Sequence, residues 1–415
     1  MLTHTVIRFM EQAANLTRQH QAHHDAVDPF MEQVVNLKGQ HQVHHDAVDP
    51  PALQPHLITP SAHSENTTSA AKRYAKIKLR IGLVGTALYF ILSVVLLASG
   101  ATRVVEEGVR LYVLNDYIAV LAFAALLGLA ETLLTLPLQY YSGYYLEHKF
   151  NLSNQTLWAW ILEGLKGLLV SIPIVTPLIL AFYYCLRSFG SLWWLPVGSL
   201  LFLVSVVLAR LAPVLIFPIF YKFQPLPDGE LKSKILRQCH NVGMSVQGVF
   251  VFDMSKNTKK ANAAFAGIGK SKRIILGDTL VANFRDEEIE TVFAHELGHY
   301  KLRHIMVMMA LGTLNSFLGL YLTALMYEQS LTWFGFTSIG QIAALPLLAV
   351  WLGLDSLVTN PLTNIVSRSH ERAADRFAVR LTRNGEAFVN ALKKLATINL
   401  ADVSPHPAVE FLFHS

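Results

Sequence analysis

Charged residues and cysteine are both scarce in this 415-residue chain. Only 15% of its residues are charged, 52% are apolar, and the mean hydropathy is +0.37. This composition excludes a typical soluble enzyme and predicts a membrane protein. The two cysteines, Cys185 and Cys239, lie far apart in the sequence. We therefore expect neither a disulfide framework nor a cysteine-based metal site.

Long apolar segments are plentiful. Ile81 to Ala98 and Gly167 to Cys185 are uncharged over 18 and 19 residues, which is enough for a helix to cross roughly 30 Å of hydrocarbon. Glu131, Arg210 and Asp355 each interrupt a further segment, and such charges are expected to face one another, water or a cavity. The four further spans that we predict are Tyr117 to Tyr140, Leu192 to Tyr221, Ile305 to Tyr327 and Leu345 to Val366.

The positions of lysine and arginine predict the topology. A basic run, Lys72 to Arg80, precedes the first span, and six crossings return the basic tail to the same side, which the positive-inside rule makes the cytoplasm. The basic residues spread along the chain beside apolar segments, so topology explains the net charge of +5 and no nucleic-acid partner is expected. We expect a multi-pass protein of the bacterial inner membrane, or of the endoplasmic reticulum in a eukaryote.

The chain accordingly divides into five predicted regions. They are a His-rich arm and linker (1–70), a membrane domain of four spans (71–221), a cytoplasmic catalytic region (222–304), two further spans (305–366) and a cytoplasmic tail (367–415). The arm contains a tandem duplication, in which Phe9 to Pro29 recurs as Phe30 to Pro50 with 16 of 21 positions identical. We interpret the duplication as a polar arm, and a second metal site in its H-x-x-H-H-D runs is the alternative.

One short motif in the predicted catalytic region indicates chemistry. In AHELGHY, Ala294 to Tyr300, the two histidines are four residues apart, so on a helix His295 and His299 project from one face and can bind one ion with Glu296 beside it. This is the H-E-x-x-H spacing of zinc peptidases. Asn283, followed by three acidic residues, predicts the cap that begins this helix.

A catalytic zinc site generally needs a third protein ligand. Metzincins place a histidine where this chain has Ile305, which excludes that class. His304 is badly phased on the helix and is the minor candidate. In the helical stretch Ser367 to Leu381, Glu371 is the better candidate, and Asp375, four residues later on the same face, can accept the second N–H of a liganding histidine.

These segments together resemble the type I CAAX prenyl proteases, which are integral-membrane zinc metalloendopeptidases of the gluzincin type, and in particular their bacterial members. The likeness rests on AHELGHYKLRH at Ala294 to His304, SRSHERAAD at Ser367 to Asp375, and NAAFAGIGKSKRIILGDTL at Asn262 to Leu280. With the order of the spans, it covers roughly Ala71 to Ser415.

The resemblance implies peptide-bond hydrolysis by Glu-assisted attack of zinc-bound water, with one Zn²⁺ per chain. The expected partners are the lipid bilayer and peptide or protein substrates, in CAAX-type processing of prenylated C-termini or in membrane protein quality control. The resemblance assigns the zinc ligands His295, His299 and Glu371, the catalytic acid/base Glu296, the supporting carboxylate Asp375 and the substrate-binding Asn262.

The expected fold is an all-α polytopic membrane protein with a mainly helical, zincin-like catalytic region. Short apolar runs at Gly248 to Phe252 and Arg273 to Leu276 predict a small β-hairpin within that region, whose edge could align an extended peptide. The resemblance further implies a large water-filled chamber enclosed by the membrane helices, with the zinc near its cytoplasmic side.

The likeness departs from the family at both ends. No membrane helix precedes the HHDAVDP repeats, and the chain stops at FLFHS, so we expect a member that lacks the first membrane helix and the S-H-P-P segment with its oxyanion-steadying histidine. His406 aligns earlier and is not its equivalent. One alternative is therefore a catalytically impaired, non-enzymatic substrate-binding or quality-control protein. A transporter, suggested by the intramembrane charges, is a weaker alternative.

Overall fold

The computed structural model describes residues 62–266 and 272–413. The His-rich duplication, with its alternative metal site, lies outside the described residues. Most of the described chain is helical, and its strands all fall between the fourth and fifth membrane spans.

The first half of the described chain consists of helices. In order they are α1 (Ala62–Ala98), α2 (Ala101–Arg110), α3 (Asp116–Tyr140), α4 (Leu146–Lys149), α5 (Leu157–Ser188), α6 (Trp194–Leu211) and α7 (Phe217–Phe220). A 3₁₀ turn, Gly190–Leu192, precedes α6, and π-helical turns join α3 to α4 at Tyr141–Tyr145 and α6 to α7 at Ala212–Ile216. Pro213 lies in the second π turn and has no N–H to donate, so the α-helical hydrogen bonding is interrupted there.

The second half contains the strands and the remaining helices. They are β1 (Phe223–Pro225), α8 (Glu230–Asn241), β2 (Val249–Phe252), β3 (Ala263–Ala266), β4 (Arg273–Gly277), α9 (Asp278–Asn283), α10 (Asp286–Lys301), α11 (His304–Ser330), α12 (Leu345–Thr382), α13 (Gly385–Asn399) and α14 (Pro407–Phe413). Short 3₁₀ turns at Met254–Lys256, Leu331–Phe334 and Ile342–Ala344 complete this part.

Six helical segments of the described chain are long and apolar enough to cross a membrane, which confirms the six predicted spans. At most 39% of the most apolar window of any of them is buried inside the protein, so most residues of these windows keep some exposed surface. Such a surface is stable against lipid and costly against water. The six segments are Thr68–Ala98, Asp116–Lys149, Leu157–Ser188, Gly190–Phe220, His304–Phe334 and Ile342–Thr382.

The strands form a four-stranded sheet, and the predicted hairpin between Gly248 to Phe252 and Arg273 to Leu276 is wrong. Strands β2 and β4 are neighbours, but they run parallel, with Val249 opposite Ile274. A tight turn joins only antiparallel strands, and here the chain passes through β3 before it enters β4. The strand order is β1-β2-β4-β3, which leaves β3 at one edge, paired antiparallel with β4.

The sheet and helices α8, α10 and α13 share one apolar core. Ile235, Leu276 and Leu280 are fully buried in it, and so are Phe293 and Leu297 of α10. Burying a side chain of this size stabilises the fold by about 1.5 to 3 kcal/mol. Helix α10 is therefore held from several sides, which fixes the orientation of the motif that it carries.

Helix α10 does not begin at the predicted Asn283 cap. Asn283 ends α9, where its side-chain amide donates to the Thr279 carbonyl at 2.7 Å. Two extended residues follow, and α10 begins at Asp286 with the Glu288 carboxylate accepting the backbone N–H of Arg285 at 2.8 Å. The acidic residues of the first turn, rather than Asn283, therefore mark the start of α10, because Glu288 caps the helix.

Asp355, one of the three intramembrane charges, lies against a neighbouring helix. It comes from α12, and a Cβ atom placed on Gly319 of α11 would stand only 2.5 Å from its carboxylate. Glycine at this position lets the carboxylate approach the α11 backbone. The expectation that such a charge faces protein or water rather than lipid is consistent with this contact.

Candidate metal centre

Helix α10 presents its two motif histidines side by side. His295 and His299 are both buried, and their Nε2 atoms are 3.1 Å apart. From α12, Glu371 directs one carboxylate oxygen at the same point, 3.2 Å from Nε2 of His295 and 3.6 Å from Nε2 of His299. Three donor atoms from two distant stretches of chain therefore face one another.

The spacing of these atoms suits zinc. Zn–N and Zn–O bonds of about 2.0 to 2.2 Å in a tetrahedral site place neighbouring ligand atoms about 3.3 to 3.5 Å apart. The three distances here are 3.1, 3.2 and 3.6 Å. Two imidazoles and a carboxylate are also a ligand set that zinc uses in catalytic sites. His295, His299 and Glu371 therefore fit the metal that the sequence predicts.

Small residues allow α10 and α12 to approach closely enough. A Cβ on Gly298 would meet the Ala374 backbone at 3.2 to 3.3 Å and the Phe377 ring at 3.1 Å. One turn away on each helix, Ala294 and Ala378 are also fully buried and belong to one cluster. Glycine or alanine four residues apart on both helices thus sets the separation at which the ligand atoms meet.

Each histidine also has a partner behind it. Nδ1 of His295 lies 2.8 Å from Oδ1 of Asp375, although the angle falls outside that of an ideal hydrogen bond. Nδ1 of His299 lies 3.0 Å from Nδ1 of His304. The His304 ring in turn stacks on His370, with centroids 4.1 Å apart and planes 5° from parallel. His304 thus lies behind His299 rather than among the three facing donor atoms.

The electrostatics of the site favour positive charge. Burial of the His295 ring lowers its pKa, but the carboxylates of Asp375 and Glu371 outweigh burial and hold the pKa of His295 well above its usual value. A proton is stabilised there when no metal is present. A metal cation at Nε2 of His295 would take the place of the proton that faces Glu371, so binding it releases that proton.

The remaining two predicted site residues, Glu296 and Asn262, lie on α10 and directly before β3. Glu296 directly follows His295 in α10 and is partly exposed. Asn262 is the residue before β3, and its carbonyl accepts the backbone N–H of Gly277 at 2.8 Å. Helix α10 packs against β3 through the rings of Phe293 and Phe265, whose centroids are 5.4 Å apart. The edge strand is thereby fixed beside the metal centre.

A residue that the sequence reasoning missed holds the start of this strand. The side chain of Asn399, buried at the end of α13, accepts the Ala261 N–H at 3.0 Å and donates to the Ala261 carbonyl at 3.4 Å. It thus pairs with the backbone next to Asn262 as a neighbouring strand would. No spacing signal marks Asn399, because its partner is 138 residues away.

Known proteins share this arrangement of segments. The family model "Peptidase family M48" matches residues 225–411, and the model "CAAX prenyl protease N-terminal, five membrane helices" matches residues 40–222. The chain is 33% identical to "Uncharacterized metalloprotease YhfN" of Bacillus subtilis over 81% of its own length and 80% of that protein. It is 34% identical to "CAAX prenyl protease 1" of Saccharomyces cerevisiae over 72% of its length and 70% of that protein.

A solved structure is also similar. The crystal structure of S. mikatae Ste24p matches with a TM-score of 0.75 and 29% sequence identity, covering 84% of this chain and 86% of that one. The match includes both the membrane helices and the part of the chain that carries the metal centre. Sequence and structure comparisons therefore agree on one family.

Proposed function

The chain belongs to peptidase family M48 and is a membrane metalloendopeptidase, and from this premise we propose that zinc is bound by His295, His299 and Glu371. The observation that carries the proposal is the meeting of their donor atoms at 3.1 to 3.6 Å between α10 and α12. The alternative of a non-enzymatic binding protein is not favoured, because the relatives are proteases over most of this chain's length.

In this proposal, each residue of the site has one task. Zinc, when bound, supplies a Lewis acid that activates water and polarises the scissile carbonyl. The Glu296 carboxylate takes a proton from the attacking water and passes it to the leaving amine nitrogen. Asp375 holds the His295 ring with Nε2 toward the metal position, which fixes its tautomer.

The substrate is proposed to lie along the edge of the sheet. β3 pairs with β4 on one side and is one of the two edge strands of the sheet, so its other side can accept an extended peptide by strand addition. Asn262 contributes side-chain contacts to the peptide backbone. The two hydrogen bonds between Asn399 and Ala261 hold the backbone that leads into β3 in place for this pairing.

The preferred substrate class is a peptide with a prenylated CAAX-type C-terminus. Two features support this: similarity to a CAAX prenyl protease of yeast, and a metal centre built on α12, a helix that is also a membrane span. The lipid anchor of such a chain end can stay in the bilayer while the peptide reaches the centre. Other membrane proteins, cleaved in quality control, are the second class. The basic run Lys72 to Arg80, which precedes the first span, supports a cytoplasmic location of the site.

Peptide cleavage by the purified, zinc-loaded protein tests the proposal. We expect Glu296→Gln to keep its zinc and lose about 10² to 10⁴-fold in kcat, the usual contribution of general acid–base catalysis. Glu287→Gln, an exposed substitution on the same helix, is the matched control. A farnesylated CAAX peptide and its unprenylated twin, compared by kcat/KM, test the substrate class. Equal activity in the wild type and Glu296→Gln would overturn the assignment of Glu296.

A further inference from the structure

The two histidines of the centre are supported by chemically different groups. Behind His295 stands a carboxylate, Asp375, at 2.8 Å. Behind His299 stands another imidazole, that of His304, at 3.0 Å. A carboxylate is negatively charged and accepts strongly, whereas an imidazole acceptor must be neutral. The two sides of the metal centre are therefore not equivalent.

The proton positions follow from the geometry. A histidine that binds a metal through Nε2 carries its hydrogen on Nδ1. For His299, that N–H points to Nδ1 of His304, because the two atoms are 3.0 Å apart. His304 can accept it only with a free lone pair on Nδ1, so its own hydrogen lies on Nε2. One tautomer of each ring is consistent with the bond.

The turn between α10 and α11 is what brings His304 back to His299. Helix α10 ends at Lys301, and the Leu302 N–H caps it by donating to the Gly298 carbonyl at 2.9 Å. Arg303 adopts a left-handed conformation with φ of 59°, which interrupts the helix so that α11 begins with His304. A non-glycine residue in this conformation costs roughly 1 kcal/mol. The surrounding packing offsets that cost.

A second contact fixes the plane of the His304 ring. His370 of α12 stacks against it almost in parallel, one position before the ligand Glu371. Within the described chain, Nδ1 of His370 has no hydrogen-bond partner, so its contact with His304 is through the ring face. His304 itself is only 7% exposed. Burial and the stacking contact together hold the His304 ring with Nδ1 toward His299.

We propose that His304 is the positioning residue for His299: its Nδ1 accepts the Nδ1–H of His299 and so directs Nε2 of His299 toward the metal position. This rests on the proposed function, in which His299 is a zinc ligand. His304 does not touch substrate or metal in this role. Its effect is exerted on the orientation and tautomer of the ligand behind which it lies.

Two substitutions distinguish the contribution of the Nδ1 acceptor of His304 from that of its aromatic ring. His304→Phe keeps an aromatic ring to stack on His370 but has no acceptor. His304→Asn loses the ring but places an amide oxygen close to where Nδ1 stood. We expect His304→Phe to lower the zinc affinity of the purified protein about 10 to 100-fold, the usual cost of losing such a partner. His304→Asn should stay closer to the wild type.

Zinc affinity is measured by competition with a chelator of known affinity, and thermal unfolding of each metal-free variant reports folding separately. His240→Phe, at an exposed histidine of α8, is the matched control and should bind zinc as the wild type does. If His304→Phe does not fold, His304→Leu replaces it, because leucine also lacks an acceptor.

The order of the two variants decides the proposal. Should His304→Phe retain wild-type zinc affinity, or should His304→Asn bind zinc more weakly than His304→Phe, the role of His304 is packing and the proposal is overturned. Failure of the proposed function has a different signature: Glu371→Ala would then bind zinc as tightly as the wild type. The two outcomes are distinguishable in the same titration.

Discussion

Helix α12 has two parts that face different surroundings. In its first part the apolar side chains Leu357, Val358 and Leu362 are 51%, 68% and 59% exposed. In its last part Glu371 is 7% exposed, and Ala374 and Ala378 beside it are fully buried. Leu347, Leu348 and Val350 at its start are buried. One helix thus leaves apolar groups uncovered around 357–362 and covers a carboxylate near its end. The reversal is stable only if lipid surrounds the first part.

The comparison teaches what packing achieves in each part. Both parts contact a neighbouring helix through glycine, with Gly319 against Asp355 in the first and Gly298 against Ala374 in the last. In the first part, the close approach of α11 to α12 accommodates the Asp355 carboxylate. Close approach in the last part assembles ligands from two helices around one point. Close helix packing at a glycine therefore brings donor atoms together only in the last part, where His295 and His299 flank Gly298.

The largest difference between the two parts should appear when a side chain is removed from each. We expect Glu371→Ala to weaken zinc binding by more than about 100-fold, beyond the usual cost of losing a supporting group. Leu362→Ala, an exposed site on the same helix, should leave zinc affinity unchanged. Chelator competition on both purified variants measures this. Similar affinities in the two variants would contradict the division of α12.

Neutralising one aspartate in each part gives a finer test. Asp375→Asn removes the charge 2.8 Å from His295 and should lower zinc affinity about 10 to 100-fold. Asp355→Asn, twenty positions earlier on the same helix, should leave zinc affinity as it is. The same titration serves both variants. Equal losses would mean that zinc binding responds to charge along the whole helix rather than to the contact with His295.

Overpacking the contact between α10 and α12 should have a smaller effect. Gly298→Val places methyl groups where even a Cβ would lie 3.1 to 3.3 Å from Phe377 and Ala374. We expect a loss of roughly 1 to 3 kcal/mol in the free energy of unfolding, the usual cost of overpacking. Gly312→Val in α11, where a Cβ would meet nothing within 4 Å, is the control. Thermal unfolding in detergent compares them.

The smallest expected effect concerns the cap of α10 and depends on pH. Burial raises the pKa of Glu288, but the Arg285 N–H and the Lys394 ammonium outweigh it and lower that pKa below its usual value. A lowered folded-state pKa means that the carboxylate stabilises the fold above the unfolded value of about 4.3. This contribution is lost as pH falls through the folded pKa.

Glu288→Gln should therefore cost about 1 kcal/mol of unfolding free energy near pH 7. The gap between wild type and variant should close as the pH is lowered below about 4. Thermal unfolding at several pH values measures the gap. A gap that stays constant with pH would show that the charge of Glu288 does not contribute.

Local spacing predicted the parts of the centre that lie on single helices. His295 and His299 on α10, and Glu371 with Asp375 on α12, are each four residues apart and do share a face, as i and i+4 residues must. Their meeting across α10 and α12 agrees with the prediction drawn from the resemblance. What each residue does in the reaction stays a proposal.

The features that were missed depend on where elements end or how they pair. His304 is badly phased with His295 and His299 only if α10 continues beyond Lys301. The left-handed Arg303 instead separates α10 from a new helix that begins at His304. The predicted hairpin is wrong because β3 lies between β2 and β4 in the chain, so these two neighbouring strands run parallel rather than antiparallel. Chain reversals and sheet order are set by tertiary contacts, which periodicity in one segment does not contain.

The continuity of α12 has a mechanical consequence. Its 38 residues span about 57 Å at 1.5 Å per residue, and one helix, with Pro361 inside it, carries both the exposed apolar residues and Glu371. A helix whose apolar length does not match the local hydrocarbon thickness tilts. A tilt of this helix would be transmitted through its contact with α10 at Gly298 and Ala374. Membrane thickness and the geometry of the three donor atoms are thereby connected through one helix.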